Sequence, residues 1–205
     1  MFRNLLNPEN GLMITMNHIT DCVFLSLFWF LGCFPLVTVG CSTAALYDTA
    51  YRRFRQGEMR SWSRFVTVFK RELVSGLVPS VLYLAALWFG VKGMIALWNA
   101  AVAGTVSWMV FSGIGFLAVT ALGVLSVMFP LLSRFANPLP ALLGNTVLLA
   151  LTNLPRTIAL GLLSAVTGWL CIQWIFPLLF LPALSSLLST FLLEPMFKPY
   201  MIKTE

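Results

Sequence analysis

The length of its uncharged apolar stretches is what most constrains the fold of this chain. Between Thr157 and Phe197 the only strongly polar side chains are Gln173 and Glu194. As a helix, that stretch would extend roughly 60 Å, about twice the thickness of the hydrocarbon core of a bilayer. We therefore expect two membrane-spanning helices there, joined by a tight turn near residues 173–177.

The composition extends this expectation to the whole chain. Hydrophobic residues make up 59% of the 205 positions and charged residues 10%, and the mean hydropathy is +0.89. Soluble domains are about one quarter charged, so this chain lacks the polar surface that water requires. We predict one all-α membrane domain over residues 1–205, a polytopic transmembrane helix bundle. The predicted spans are 19–39, 73–97, 106–129, 157–173 and 177–196, with amphipathic cytoplasmic segments at 42–72 and 134–156. The second of these segments is either interfacial or re-entrant.

The distribution of positive charge gives an orientation. The formal net charge is +6, and five crossings gather eleven of the thirteen Lys and Arg residues on one side of the membrane. The positive-inside rule then predicts an outside N-terminus and a cytoplasmic C-terminus. Because the basic residues flank apolar spans, they indicate contact with anionic lipid headgroups and disfavour nucleic acid as a partner.

Segment 42–72 contains two helical patterns that suggest contacts with a partner or with the membrane surface. In each pattern, apolar side chains recur at helical spacing beside arginines, and Asp48 and Arg52 form an i,i+4 pair. Such basic, aromatic helices bind membrane surfaces or the helices of other proteins. The candidate contact residues are Tyr47, Tyr51, Phe54, Arg52, Arg53, Arg55, Trp62, Phe65 and Phe69.

Two charged residues fall inside or beside predicted spans. Charges are costly in a bilayer, so Asp21 and Lys92 are candidates for function or for helix pairing. The predicted topology puts them at similar depth on neighbouring helices, where they would form an interhelical ion pair. A substrate or proton relay site is the alternative interpretation.

The sequence offers little for catalysis or metal binding. The four cysteines form no CxxC pair, and His18 is the only histidine. The sequence contains neither GxxxxGK[ST] nor HExxH, and it has no Ser/His/Asp set. We expect a protein that is not an enzyme and that has no metal or cofactor.

A motif after the first span carries a family resemblance. The string PLVTVGCSTAALY begins at Pro35 and fits the pattern PxxTxGxxxxAxY. It closely resembles the signature of the YesL family, bacterial membrane proteins of unassigned function. The NPENGLM, WSRFVTVFKREL and NTVLLALTNLPRTI segments extend the resemblance over nearly the whole chain. Within the motif we expect Pro35 to end a helix, Gly40 to allow tight backbone packing, and Thr38 to bond freed carbonyls.

The resemblance implies a plasma-membrane protein associated with carbohydrate ABC importers. It therefore favours a non-catalytic accessory subunit that packs against the permease subunits, and it leaves sugar contact open. One alternative is a small secondary transporter or channel, with a polar pathway that would use His18, Asp21, Lys92, Asn145 and Asn153. Another is a membrane scaffold or regulator that acts through Arg52, Arg53 and Arg55.

Overall fold

A computed structural model describes residues 11–58, 61–135 and 138–201, with side chains placed for all of these except residues 11–15, 175 and 201. All regular structure in these ranges is helical, which confirms the predicted all-α fold class. The helices are α1 (Gly11–Gly32), α2 (Val39–Gln56), α3 (Ser61–Val102), α4 (Trp108–Arg134), α5 (Leu139–Thr152), α6 (Leu154–Gln173), α7 (Ile175–Leu178) and α8 (Leu181–Met201), with a 3₁₀ turn at Leu36–Thr38.

The helices α1 and α2 form an antiparallel hairpin. The Trp29 indole N–H donates to the hydroxyl of Thr43 (3.2 Å) near the turn, and Arg53 Nε donates to Asp21 Oδ2 (2.6 Å) further along. The chain therefore runs back beside α1 after the Pro35 turn. This differs from the predicted arrangement, in which segment 42–72 lies beyond the end of the first span.

The helix α2 is the centre of the bundle. It packs against α1, α3, α4 and α8, and residues 40–50 are buried except for half-buried Thr43. Small side chains on α2, including Ala44, Ala45 and Ala50, let these neighbours approach closely. The helix ends at Gly57, whose φ of +72° is readily adopted only by glycine. The sequence predicts that this segment contacts the membrane surface or a partner, whereas the structure places its alanines and Tyr47 in the protein core.

The helices α3 and α4 form the longest hairpin. The 42 residues of α3 extend about 63 Å at 1.5 Å per residue, and only its first half lies beside α2. Beyond Ser80, α3 pairs with the N-terminal half of α4, and we call residues 81–122 the membrane arm. Trp98, Trp108 and Phe111 stack edge to face near its tip, with ring centroids 5.6–5.8 Å apart.

Three helices, α3, α4 and α6, are long and apolar enough to cross a membrane, which indicates a membrane protein. They contain the predicted spans 73–97 and 157–173 and all but the first two residues of 106–129. The predicted spans 19–39 and 177–196 fall largely on α1 and α8, but α1 ends at Gly32 and α8 begins only at Leu181. The count of five crossings stays a prediction.

Segment 134–156 is mostly the short helix α5, which packs against α4 and turns directly into α6 at Asn153. The buried Thr157 hydroxyl stabilises this corner by donating to the carbonyl oxygen of Ala150 (2.9 Å). At 14 residues, α5 is shorter than the roughly 20 residues that a spanning helix needs.

The helices α4 and α6 cross at two glycines. A Cβ added at Gly123 would lie 2.0 Å from the carbonyl oxygen of Thr157, and one added at Gly161 would lie 2.1 Å from that of Val119. Backbone atoms cannot move away as side chains can, so only glycine fits at either position. Close approach of this kind is how small residues stabilise helix pairs in membranes.

We predict that Gly161→Ala lowers the stability of the bundle, whereas Gly113→Ala does not. An added methyl at Gly161 meets backbone, and overpacking typically costs about 1–3 kcal/mol. An added Cβ at Gly113 has no atom within 4 Å, so this substitution should change stability only through the higher helix propensity of alanine, a gain of about 1 kcal/mol. Thermal unfolding in detergent micelles compares the two variants. Equal melting temperatures for both would contradict the close crossing.

Candidate functional site

The motif turn joins α1 to α2 through contacts made by its own residues. Pro35 precedes the 3₁₀ turn in an extended conformation, with φ −77° and ψ 104°. The Thr38 hydroxyl lies within hydrogen-bonding distance of two carbonyl oxygens, those of Gly32 (2.6 Å) and Pro35 (2.7 Å). The turn therefore satisfies a carbonyl that the end of α1 leaves free.

Gly40 is the point where α2 meets α3 and α4. Its backbone N–H donates to the hydroxyl of Ser80 on α3 (3.0 Å). A Cβ on Gly40 would lie 2.2 Å from the ring of Phe129 on α4 and 2.4 Å from the Ser80 hydroxyl. The glycine of the motif thus makes room for two neighbouring helices at once.

Four acidic side chains distributed along α2 and its neighbouring helices are each paired with arginine. Their pairing satisfies carboxylates that lie in largely apolar surroundings, where an unpaired charge would be strongly destabilising. The pairs are Asp21 with Arg53, Asp48 with Arg52 and Arg64, Glu72 with Arg71, and Glu194 with Arg134. We call this set the arginine–carboxylate layer. Its ion pairs join α1 to α2, α2 to α3 and α4 to α8.

The most central part of the layer involves Glu194 on α8. Its carboxylate pairs with Arg134 from α4 and accepts a hydrogen bond from the Tyr47 hydroxyl on α2 (3.2 Å). The Arg134 guanidinium also lies over the ring of Tyr51, 3.9 Å from its centroid. Burial, reinforced by the nearby Glu194 charge, raises the pKa of Tyr47, so this phenol stays protonated and remains a donor. These contacts tie three helices together.

The predicted ion pair between Asp21 and Lys92 does not form. Asp21 pairs instead with Arg53, because the antiparallel hairpin brings the arginine-rich end of α2 beside the middle of α1. Lys92 lies on the membrane arm, with its ammonium 5.1 Å from the centroid of the Trp88 ring. The two residues therefore belong to different parts of the molecule.

The structure also changes the interpretation of the candidate contact residues. Tyr47 and Phe65 are 1% and 4% exposed, so neither side chain can contact a membrane surface. Phe54 and Phe69 are partly buried and pack on a core cluster that includes Leu25 and Phe65. Only Trp62, 58% exposed, presents a large apolar surface, and its ring contacts Phe28 at 4.3 Å between centroids.

The arginines of the predicted contact surface are largely engaged inside the protein. Arg52 pairs with Asp48 at 3.4 Å, as the i,i+4 spacing predicts, and Arg53 pairs with Asp21. Arg55 lies over the ring of Phe191, 4.7 Å from its centroid, and donates to the Thr190 carbonyl oxygen (3.4 Å). These side chains stabilise the bundle, which weakens the case for a free basic docking surface.

The residues suggested for a polar pathway are not brought together. His18 packs on Phe54, Asn145 lines a groove with Tyr200, and the Asn153 amide donates to the Leu149 carbonyl oxygen. Asp21 and Lys92 likewise contact other residues, Arg53 and Trp88, and not each other.

Comparison with known proteins gives a family. Residues 22–99 match the family described as "Protein of unknown function, DUF624". Over this segment, which is less than half of the chain, the sequence is similar to the DUF624 family. This is the YesL family, so the resemblance found in the sequence is confirmed. The DUF624 match contains the Pro35–Gly40 turn, all of α2 and nearly all of α3. No curated protein and no solved structure matched the chain.

Reasoning from the sequence missed the pairing of Glu194 with Arg134. A signal was present in the sequence, because Glu194 and Gln173 are the only strongly polar residues in the apolar stretch 157–197. A carboxylate in such surroundings requires a counter-charge. Identifying that counter-charge needed the fold, because 60 residues separate the two partners.

We predict that Glu194→Gln destabilises the protein by about 3–5 kcal/mol, the usual effect of removing one partner of a buried ion pair. The substitution leaves the Arg134 guanidinium, whose side chain is 11% exposed, without its carboxylate. Combining it with Arg134→Met should recover part of the loss, because no buried charge then remains unpaired. Thermal unfolding of the two single variants and the double variant tests this coupling. Additive losses in the double variant would contradict it.

Proposed function

We propose that this chain is a non-catalytic accessory membrane subunit of a bacterial carbohydrate ABC importer, and that its membrane arm packs against the permease subunits. The observation that carries this proposal is the arm itself. It extends from the bundle as two paired helices, with most of their outer surface unoccupied by the rest of the chain. The importer association comes from the family resemblance, and the docking surface comes from the structure.

The outer surface of the arm is apolar and open. Phe89, Met109 and Leu117 are 74%, 84% and 65% exposed. Lipid chains would cover such side chains as well as a protein would, so apolarity alone does not require a partner. Two further features of the arm favour a protein.

The first feature is a set of glycines that serve no packing purpose within the chain. Added Cβ atoms at Gly90, Gly93 and Gly113 would meet nothing within 4 Å. By contrast, the space beside Gly123 and Gly161 is occupied by the backbone of a neighbouring helix. Small residues let a second helix approach closely in lipid, and these open glycines supply that surface. Beside them, a groove of about 800 Å³ lies between α3 and α4, with Trp169 at its edge.

The second feature is Lys92. It lies ten residues before the end of α3, about 15 Å along the helix, or half the thickness of the hydrocarbon core. The described residues supply it with a tryptophan ring and no acidic partner. A carboxylate on a neighbouring permease helix would satisfy this charge. The expected partner is thus a transmembrane helix with small residues and an acidic side chain.

We also propose an orientation that differs from the one expected from the sequence. The expected outside N-terminus assumed that α1 crosses the membrane before the arginine-rich segment. Because Asp21 pairs with Arg53, the N-terminal half of α1 lies at the same end of the bundle as the arginine–carboxylate layer. We propose that this end, which includes Lys198 near the end of α8, faces the cytoplasm of a bacterial plasma membrane. The N-terminus itself lies outside the described residues.

The proposal predicts that permease subunits co-purify with the protein from native membranes in mild detergent. Gly93→Leu should abolish that association, because the larger side chain prevents close approach of a partner helix. Lys92→Glu should reduce it at least tenfold, because it replaces attraction to the partner carboxylate with repulsion. Quantitative mass spectrometry of the purified complex measures both effects.

Gly144→Leu is the matched control. Gly144 lies on α5, and an added Cβ there also meets nothing within 4 Å, so the variant tests an open glycine away from the arm. It should retain the permease subunits. The proposal fails if wild-type protein brings down no transporter subunit, or if the arm variants retain as much permease as the control.

A further inference from the structure

A cavity of about 220 Å³ lies where α1, α2, α3, α4, α6 and α8 meet. About half of its lining residues are serine, threonine or tyrosine, and none is charged. The cavity is distinct from the groove on the membrane arm, and it adjoins the arginine–carboxylate layer at Tyr47, which donates to Glu194. Such a concentration of hydroxyl groups is unusual inside a helix bundle that is otherwise packed with apolar side chains.

Four of the nine lining hydroxyls donate their own hydrogen to the backbone. Thr43 and Ser126 donate to carbonyl oxygens four residues earlier, both at 2.8 Å, and Ser189 does the same toward Ser185. A hydroxyl that donates in this way keeps its oxygen lone pairs available as acceptors. These four hydroxyls therefore present hydrogen-bond acceptors within a wall that is otherwise largely apolar.

The hydroxyl of Ser186 lacks a hydrogen-bond partner. Its oxygen is buried and contacts no donor or acceptor within the described residues. Buried polar groups nearly always have a partner, and leaving one unsatisfied costs about 1–3 kcal/mol. Because Ser186 lines the cavity, rotation of its side chain toward a molecule within the cavity would give the hydroxyl that partner.

The size and chemistry of the cavity restrict the class of ligand. A charged ligand would need a counter-charge, and the lining residues supply none. At about 220 Å³ the cavity is smaller than the usual sites for drug-sized ligands, which begin near 300 Å³. The faces of Trp29 and Phe129 give it apolar walls beside the hydroxyls. A compact molecule with several hydroxyl donors and an apolar carbon skeleton fits these conditions.

We propose that this cavity binds a small, uncharged polyol. The ligand donates hydrogen bonds to the serine and threonine oxygens, accepts one from Ser186, and packs its C–H groups against Trp29 and Phe129. Occupation joins α6 and α8 to α2 through the ligand, so binding stabilises the bundle. The proposal is independent of the membrane arm, and either one can fail without the other.

Isothermal titration of the full chain in lipid nanodiscs, with glycerol, erythritol and glucose as probes, tests this site. We expect saturable binding of at least one polyol and a raised melting temperature in its presence. Ser164→Val puts two methyl groups at the Ser126–Ser164 contact (2.8 Å) and should weaken binding at least tenfold. Ser186→Ala leaves the cavity shape nearly unchanged and should weaken binding about tenfold, by removing the partnerless hydroxyl.

Ser112→Val is the control, because Ser112 lies on the membrane arm and does not line the cavity. It should bind the polyol as the wild type does. The absence of saturable binding of all three probes would overturn the proposal and leave a cavity filled by water. Equal affinity of folded Ser186→Ala and wild-type protein would overturn it as well.

Discussion

A carboxylate within an apolar bundle is stable only beside a counter-charge, and this requirement organises the contacts around α2. Asp21, Asp48, Glu72 and Glu194 each lie against an arginine, and the pairs join α1 to α2, α2 to α3 and, across 60 residues of sequence, α4 to α8. Since separating any pair would leave a poorly solvated charge, the layer fixes which helices are neighbours. Lipid offers no hydrophobic force that would bring helices together, so this electrostatic constraint has particular weight here.

The position of α2 follows from the same constraint and from its small side chains. Its arginines and Asp48 belong to the layer, while Gly40 and three alanines allow α1, α3, α4 and α8 to pack around it. With its basic residues committed to internal pairs, α2 stabilises the bundle and leaves the membrane arm as the open surface. The DUF624 match, which covers residues 22–99, contains this central helix and the proline, threonine and glycine that begin it.

The sequence predicted the fold class and the family, because both depend on local features: long apolar helices and a short motif. Three spans, 73–97, 106–129 and 157–173, could likewise be located from hydropathy within long helices. The role of α2 could not be predicted from the sequence. Tyr51, Phe54 and the arginines form the same amphipathic pattern whether the polar face of the helix contacts water or buried carboxylates. The pairing of Asp21 was wrong for a related reason. The predicted pair with Lys92 assumed that the two residues lie at similar depth in the membrane, whereas the α1–α2 hairpin places Arg53 beside Asp21. Neither the cavity nor the Glu194 pair follows from spacing, since both combine residues from several helices.

These observations separate the molecule into a stabilising end, held by arginine–carboxylate pairs, and an arm whose glycines and Lys92 are available to a partner. A structure of the complex purified from native membranes tests this division most directly. We predict that permease helices contact residues 81–122, with a small residue against Gly93 and an acidic side chain near Lys92. A complex in which the partner binds only the arginine-rich end, while the arm contacts lipid alone, would contradict the account.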